Sequence, residues 1–137
     1  AARYGLTAVQ LHGNESPETC DALRKSGLKV MKAIGIGDNI DWEILRRYEG
    51  TIDRFVFDTA TDYHGGSGRK FDWTLLRGYP LATPFLLSGG ITPDDADVIR
   101  EAAASLPMME GVDINSRFET RPGYKSPQLV KAFMEAL

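Results

Sequence analysis

Asp58 comes directly after Phe55-Val56-Phe57, which places a carboxyl at the mouth of an apolar strand candidate. Partial burial at such a place raises a carboxyl pKa and suits it to general-acid work near neutral pH, whereas a capping or turn aspartate would occupy the same position without chemistry. Asp113 falls inside the apolar run Met108 to Ile114, where an inward carboxylate needs a partner or a ligand. His12 ends the run Gln10-Leu11-His12-Gly13; alone it reads as a structural histidine, and it gains chemical meaning when other groups converge on it. Two glycine-bearing stretches, Leu87-Ser88-Gly89-Gly90-Ile91 and Gly111-Val112-Asp113-Ile114-Asn115-Ser116, close two further strand candidates. Glycine lets backbone N–H groups approach an anion, so singly each stretch is an ordinary tight turn and as a pair they fit one phosphate. The polar, basic stretch Tyr63 to Lys70 suits a loop that closes over an anion or one that is simply mobile. Cys20 lies three residues before Leu23 on the apolar side of a helix that begins at Pro17, which reads as a buried structural thiol.

These residues need a scaffold, and the sequence supplies alternating strands and helices. Near-continuous apolar runs at Thr7 to Leu11, Lys29 to Ile34, Arg54 to Phe57, Pro84 to Leu87 and Met108 to Ile114 have the character of strands in a parallel sheet. Ser16-Pro17, Thr92-Pro93 and Ser126-Pro127 each set an N-cap hydroxyl before a proline at the first helical position. The last of these helices carries Val130, Phe133, Met134 and Leu137 as one apolar stripe. A further helix is expected from Asp41 to Tyr48, with Trp42 and Leu45 inward and Gly50 ending it, and a shorter element from Asp72 to Arg77. The opening Ala1 to Leu6 reads as a helix end stopped by Gly5, so the sequence is expected to start in mid-fold. The fold class is α/β, as either a doubly wound domain or part of a (β/α)8 barrel, and in both the strands' C-terminal ends carry the function.

Composition narrows the classes. The 137 residues have 42% hydrophobic and 26% charged side chains, normal for one globular domain. A net charge of -3 supplies no basic field for nucleic acid or anionic membrane. Neither a spanning run nor a signal-peptide pattern stands out, so a cytoplasmic location is expected. One cysteine forms no internal disulfide, and His12 and His64 have no metal-ligand spacing.

Taken in order, VQLHG (Val9 to Gly13), KAI (Lys32 to Ile34), FDT (Phe57 to Thr59), GGSGRKFDW (Gly65 to Trp73), LLSGGI (Leu86 to Ile91) and GVDINSRFETRPGYK (Gly111 to Lys125) resemble the C-terminal five-eighths of the phosphoribosylanthranilate isomerase family. That family consists of (β/α)8 TIM-barrel enzymes of tryptophan biosynthesis. The resemblance covers essentially the whole chain and implies a single domain, residues 1–137, holding strands four to eight of the barrel. It implies an Amadori rearrangement of N-(5-phosphoribosyl)anthranilate with no metal or organic cofactor. Asp58 is then the acid; His12 and Asp113 match positions near the sugar; backbone N–H groups of Gly89, Gly90, Asn115 and Ser116 match the phosphate site. Arg117 stands where many members have glycine and Ser126 where many have aspartate, neither at a position expected to do chemistry.

The family's base, a cysteine ending the first strand, and its carboxylate-binding arginine belong upstream of residue 1, and Cys20 matches a helix position instead. Residues 1–137 alone are therefore expected to lack turnover and to self-associate through open sheet edges. Two alternatives stay in view: another phosphate-binding barrel enzyme, such as a thiamine-phosphate synthase or pentose-phosphate epimerase, and a flavodoxin-like binding domain.

Overall fold

The computed structural model describes residues 2–60 and 70–137. Most of the loop expected to close over an anion, with His64 and the glycines before Arg69, lies outside the described residues.

A 3-10 turn at Ala2–Tyr4 ends at Gly5 (φ 63°) and leads into β1 (Ala8–Leu11). Helix α1 (Pro17–Lys25) starts as its sequence dictates, with Ser16 Oγ accepting from the Thr19 N–H and proline in the first turn. It stops at Gly27 (φ 93°), where the Gly27 N–H bonds to the Arg24 carbonyl and the Leu28 N–H to the Leu23 carbonyl, a Schellman closure that needs a left-handed residue. Next come β2 (Lys29–Ile36), α2 (Trp42–Arg46), β3 (Arg54–Thr59) and β4 (Phe85–Leu87). After β4 follow α3 (Ala96–Ser105), β5 (Met109–Val112), the hairpin strands β6 (Glu119–Arg121) and β7 (Tyr124–Lys125), and α4 (Pro127–Ala136).

Several boundaries differ from the sequence reading. Strand β2 continues two residues past Ile34, so Gly35 is inside it; β3 includes Asp58; β5 ends at Val112, so Asp113 and Ile114 lie beyond it. The helix expected from Asp41 is shorter, with the Asp41 carboxylate capping the N–H groups of Glu43 and Ile44. Pro93 opens a 3-10 turn (Pro93–Asp95) that α3 continues, and Trp73–Leu76 is likewise 3-10. The sequence reading has no counterpart to the β6–β7 hairpin, although Pro122-Gly123, with Gly123 at φ 80°, is the pair a tight type II turn requires.

Strands β1 to β5 form one parallel sheet in sequence order, leaving β1 and β5 at its edges. A flavodoxin-like sheet reverses direction after its first strand and has the order 2-1-3-4-5, so the binding-domain alternative does not fit. One face of the sheet is packed. Phe55 and Phe57 stack at 5.5 Å, Phe57 meets Phe85 at 5.2 Å, and Tyr79 lies 4.8 Å from Phe85 while donating its hydroxyl to the Thr83 carbonyl. The register puts Gln10, Met31 and Arg54 on the other face, followed by Ala33, Val56, Leu86 and Gly111, and then by Gly35 and Asp58. On that face Val56 alone among these is buried.

Candidate active site

Side chains alternate between the faces of a strand, so Asp58, near the end of β3, points away from the Phe55 and Phe57 side. His12, Ser88 and Asp113 stand one residue past β1, β4 and β5 and continue the alternation onto the Asp58 face. The ladder runs on through two of them: the Ser88 N–H bonds to the Phe57 carbonyl and the Asp113 N–H to the Leu87 carbonyl, both at 2.8 Å. The residues singled out from sequence as His12, Asp58 and Asp113 thus share one face and one end of the sheet.

Their environments differ from the sequence expectation. Asp58 is exposed, so the burial argument made for it from its position does not hold. Its Oδ1 accepts from the Thr59 N–H at 2.7 Å. Asp113 is the half-buried carboxyl. Burial, and then the negative charge of Asp58, raise its pKa above the ordinary aspartate value, against a hydrogen bond from Ser88 and the charge of Lys125. His12 is exposed at the end of β1. Cys20 is buried on α1, where burial pushes its thiol pKa up.

Gly89 and Gly90 follow β4 with φ of 88° and 66°, a region L side chains rarely adopt. A Cβ on Gly89 would stand 2.5 Å from Thr59 Oγ1 and 2.7 Å from both Asp58 Oδ1 and the Thr59 nitrogen. The glycine is what lets the β4 turn lie against the Asp58 carboxylate. Asn115 and Ser116 are exposed after β5, the strand that neighbours β4. Both stretches therefore leave adjacent strands at one end of the sheet. Lys125, on β7, donates to Asn115 Oδ1 and to Glu119 Oε1, which ties the hairpin to the loop after β5.

Two groups escaped the sequence reading. Ser88 is buried and hydrogen-bonds Asp113. Lys32, in β2, is buried with its ammonium on the loop that follows His12. For Lys32 the available signal was a lone lysine inside an apolar strand run. Among the described residues, no group of three His, Cys, Asp or Glu side chains could hold a metal ion, and no helix is long and apolar enough to cross a membrane.

The family model for N-(5'phosphoribosyl)anthranilate (PRA) isomerase matches residues 1–136. Over 137 residues the chain is 47% identical to N-(5'-phosphoribosyl)anthranilate isomerase of Parabacteroides distasonis, covering 100% of this chain and 61% of the relative. It is 41% identical to the enzyme of that name from Phocaeicola vulgatus, covering 100% of this chain and 66% of the relative. The crystal structure of phosphoribosyl anthranilate isomerase from Thermus thermophilus aligns with a TM-score of 0.78 at 23% identity, over 96% of this chain and 60% of that one, which shows a shared fold. The chain thus spans 61% and 66% of the lengths of the two curated relatives. With the family model matching nearly every residue and relatives above 40% identity along its full length, the chain belongs to the N-(5'-phosphoribosyl)anthranilate isomerase family.

Proposed function

We propose that the protein containing this chain converts N-(5-phosphoribosyl)anthranilate to 1-(2-carboxyphenylamino)-1-deoxyribulose 5-phosphate by an Amadori rearrangement, without metal or organic cofactor. Residues 1–137 act as one domain that supplies strands four to eight of a (β/α)8 barrel. The family match over residues 1–136 carries this reading. Asp58 is the general acid. With Oδ1 engaged by the Thr59 N–H, the transferable proton is assigned to Oδ2. Protonation of the furanose oxygen lets its bond to C1 break while the anthranilate nitrogen lone pair forms the C=N bond. A base then takes the C2 proton, the electron pair moves toward nitrogen to give the enolamine, and tautomerisation yields the ketone.

His12 and Asp113 bind the sugar, Asp113 from a half-buried position beside the Ser88 hydroxyl that hydrogen-bonds it. Backbone N–H groups of Gly89, Gly90, Asn115 and Ser116 hold the phosphate, as glycine-bearing turns after neighbouring parallel strands do in barrel enzymes. Cys20 is not the base: it is fully buried on α1, not at the end of a strand. The C2 base and the cation for the anthranilate carboxylate are assigned to no residue of 1–137.

The test is loss of the fluorescence of N-(5-phosphoribosyl)anthranilate with full-length protein, in chelator, on freshly made substrate. Turnover that survives the chelator supports the reading, and its absence overturns it. A polypeptide of residues 1–137 alone presents the β1 and β5 edges and should self-associate in size exclusion without turnover. A monodisperse monomer of full activity would overturn that part.

A further inference from the structure

Lys32 sits in the middle of β2 and is 2% exposed. The strand alternation places it with Val30 on the helix-covered side, opposite the face that carries Asp58. Its Nζ donates to the Gly13 carbonyl at 2.7 Å and the Ala33 carbonyl at 3.3 Å, and pairs with Glu15 Oε2 at 3.2 Å. Three donors therefore meet three acceptors, which is the full capacity of an ammonium group. Glu15 Oε2 also accepts from the Gly13 N–H at 3.1 Å, so both polar backbone groups of Gly13 are held, one by each member of the pair. From α2's C-terminal side, Tyr48 donates its hydroxyl to the Glu15 carbonyl at 2.9 Å.

Burial works against ionisation of Glu15, but hydrogen bonds from the backbone and from Lys32, with the charge of that ammonium, outweigh it and keep the carboxyl below its ordinary pKa. Only the Lys32 end of the pair is buried, Glu15 being partly exposed, and a well-packed apolar side chain in place of a buried ammonium is often neutral or favourable for stability. What an apolar pair cannot do is fix both polar backbone groups of a loop residue. The residue fixed here immediately follows His12.

We propose that Lys32 is a positioning residue: acting through Gly13 and Glu15, its ammonium holds the loop after β1 in the conformation that keeps His12 on the face shared with Asp58 and Asp113. The proposal rests on the reading of His12 as a sugar-binding residue. Lys32 itself touches no substrate.

The test compares Lys32→Met, Glu15→Gln and Val30→Ala in the full-length protein. Val30 is a buried neighbour on the same face of β2 and serves as a control for general destabilisation. Amide exchange of Gly13 is read relative to β3 amides, alongside kcat, KM and thermal midpoint. Lys32→Met is expected to speed Gly13 exchange by about tenfold or more and to raise KM by about fivefold with kcat within about twofold. Glu15→Gln should move both in the same direction by less, and Val30→Ala should lower the midpoint without moving KM. Unchanged Gly13 exchange, or faster exchange with unchanged KM, in both loop variants overturns the proposal. Should Lys32→Met fail to fold, Glu15→Gln carries the test alone. Should the parent protein show no isomerase turnover, the functional reading fails, and Gly13 exchange by itself decides whether the clamp exists.

Discussion

The two faces of the five-stranded sheet are built from the same strands by opposite rules. On one, Phe55, Phe57, Phe85 and Leu87 are fully buried, with Phe57 against Trp42 and Tyr79 and Phe85 against Tyr79, so each residue is defined by what it packs against. On the other, Asp58 and His12 are exposed, Asp113 is half-buried, and Arg54 spans to Glu110 near the opposite end. The first face spends its residues on apolar burial, which is non-directional and tolerant of chemistry that conserves volume. The second keeps polar groups that gain little stability and define a place where a ligand would complete them. Apart from the Lys32 clamp on the packed face, stability and chemistry should therefore separate by strand parity.

The strongest way to break that separation is to replace two neighbours on β3. Asp58→Asn keeps the shape and removes the transferable proton. It should lower kcat by about 10²- to 10⁴-fold, with KM within a few fold and the urea midpoint nearly unchanged. Phe57→Ala, one residue earlier and 0% exposed, should cost about 3–5 kcal/mol of stability, with kcat per folded molecule close to the parent's. If Asp58→Asn keeps more than about a third of the activity, the acid assignment fails. If Phe57→Ala destroys turnover in protein shown to be folded, the two faces are not separable.

Glycines sharpen the same contrast at smaller cost. Gly27 and Gly89 both have left-handed backbone, at φ 93° and 88°, but a Cβ on Gly27 meets nothing within 4 Å while one on Gly89 meets Thr59 and Asp58. Gly27→Ala should lose about 1 kcal/mol from backbone strain alone and leave kinetics intact. Gly89→Ala carries comparable strain plus a clash with the Thr59 nitrogen, which no rotamer change relieves. It should lose about 1–3 kcal/mol and also lower kcat, because Asp58 must shift. Equal kinetics for the two variants would show that the β4 turn does not set the acid.

How far the sequence reveals this arrangement depends on how local the cause is. The starts at Ser16-Pro17 and Ser126-Pro127 are legible because a hydroxyl and a proline act within one turn, and both hydroxyls accept the expected backbone N–H. At Thr92 the same signal yields a 3-10 turn first, since Asp95 closes a capping box over Pro93–Asp95 and also holds Lys70. The site residues His12, Asp58 and Asp113 were legible as strand-end polar groups, but their burial was not. Which carboxyl is shielded depends on Ser88 and on the turn against Asp58, contacts between strands distant in sequence. Lys32 was invisible as a functional residue for the same reason: its partners Gly13 and Glu15 belong to another βα unit.

The smallest effect compares the two ends of the sheet through carboxylates of opposite behaviour. Asp53, just before β3, accepts from the Val30 N–H at 2.8 Å and lies near Lys29 and Arg24. Burial opposes its ionisation, but these hydrogen bonds and charges prevail and lower its pKa. Its contribution is present above the unfolded value of about 3.9 and is lost as pH falls below that value through the folded one. Asp113 has the reverse sign. Burial and the Asp58 charge raise its pKa, so the folded state holds its proton more tightly than the unfolded state. Its ionised form costs stability above the folded pKa, and that cost vanishes as pH falls toward about 3.9. Asparagine carries no charge at either site. Asp53→Asn should therefore melt below the parent at neutral pH, and Asp113→Asn should melt above it, by a few degrees in each case. Both gaps should narrow on acidification. A neutral-pH Asp113→Asn protein that melts lower than the parent would mean that the Ser88 hydrogen bond outweighs the burial of the charge, and that this end of the sheet is built for stability after all.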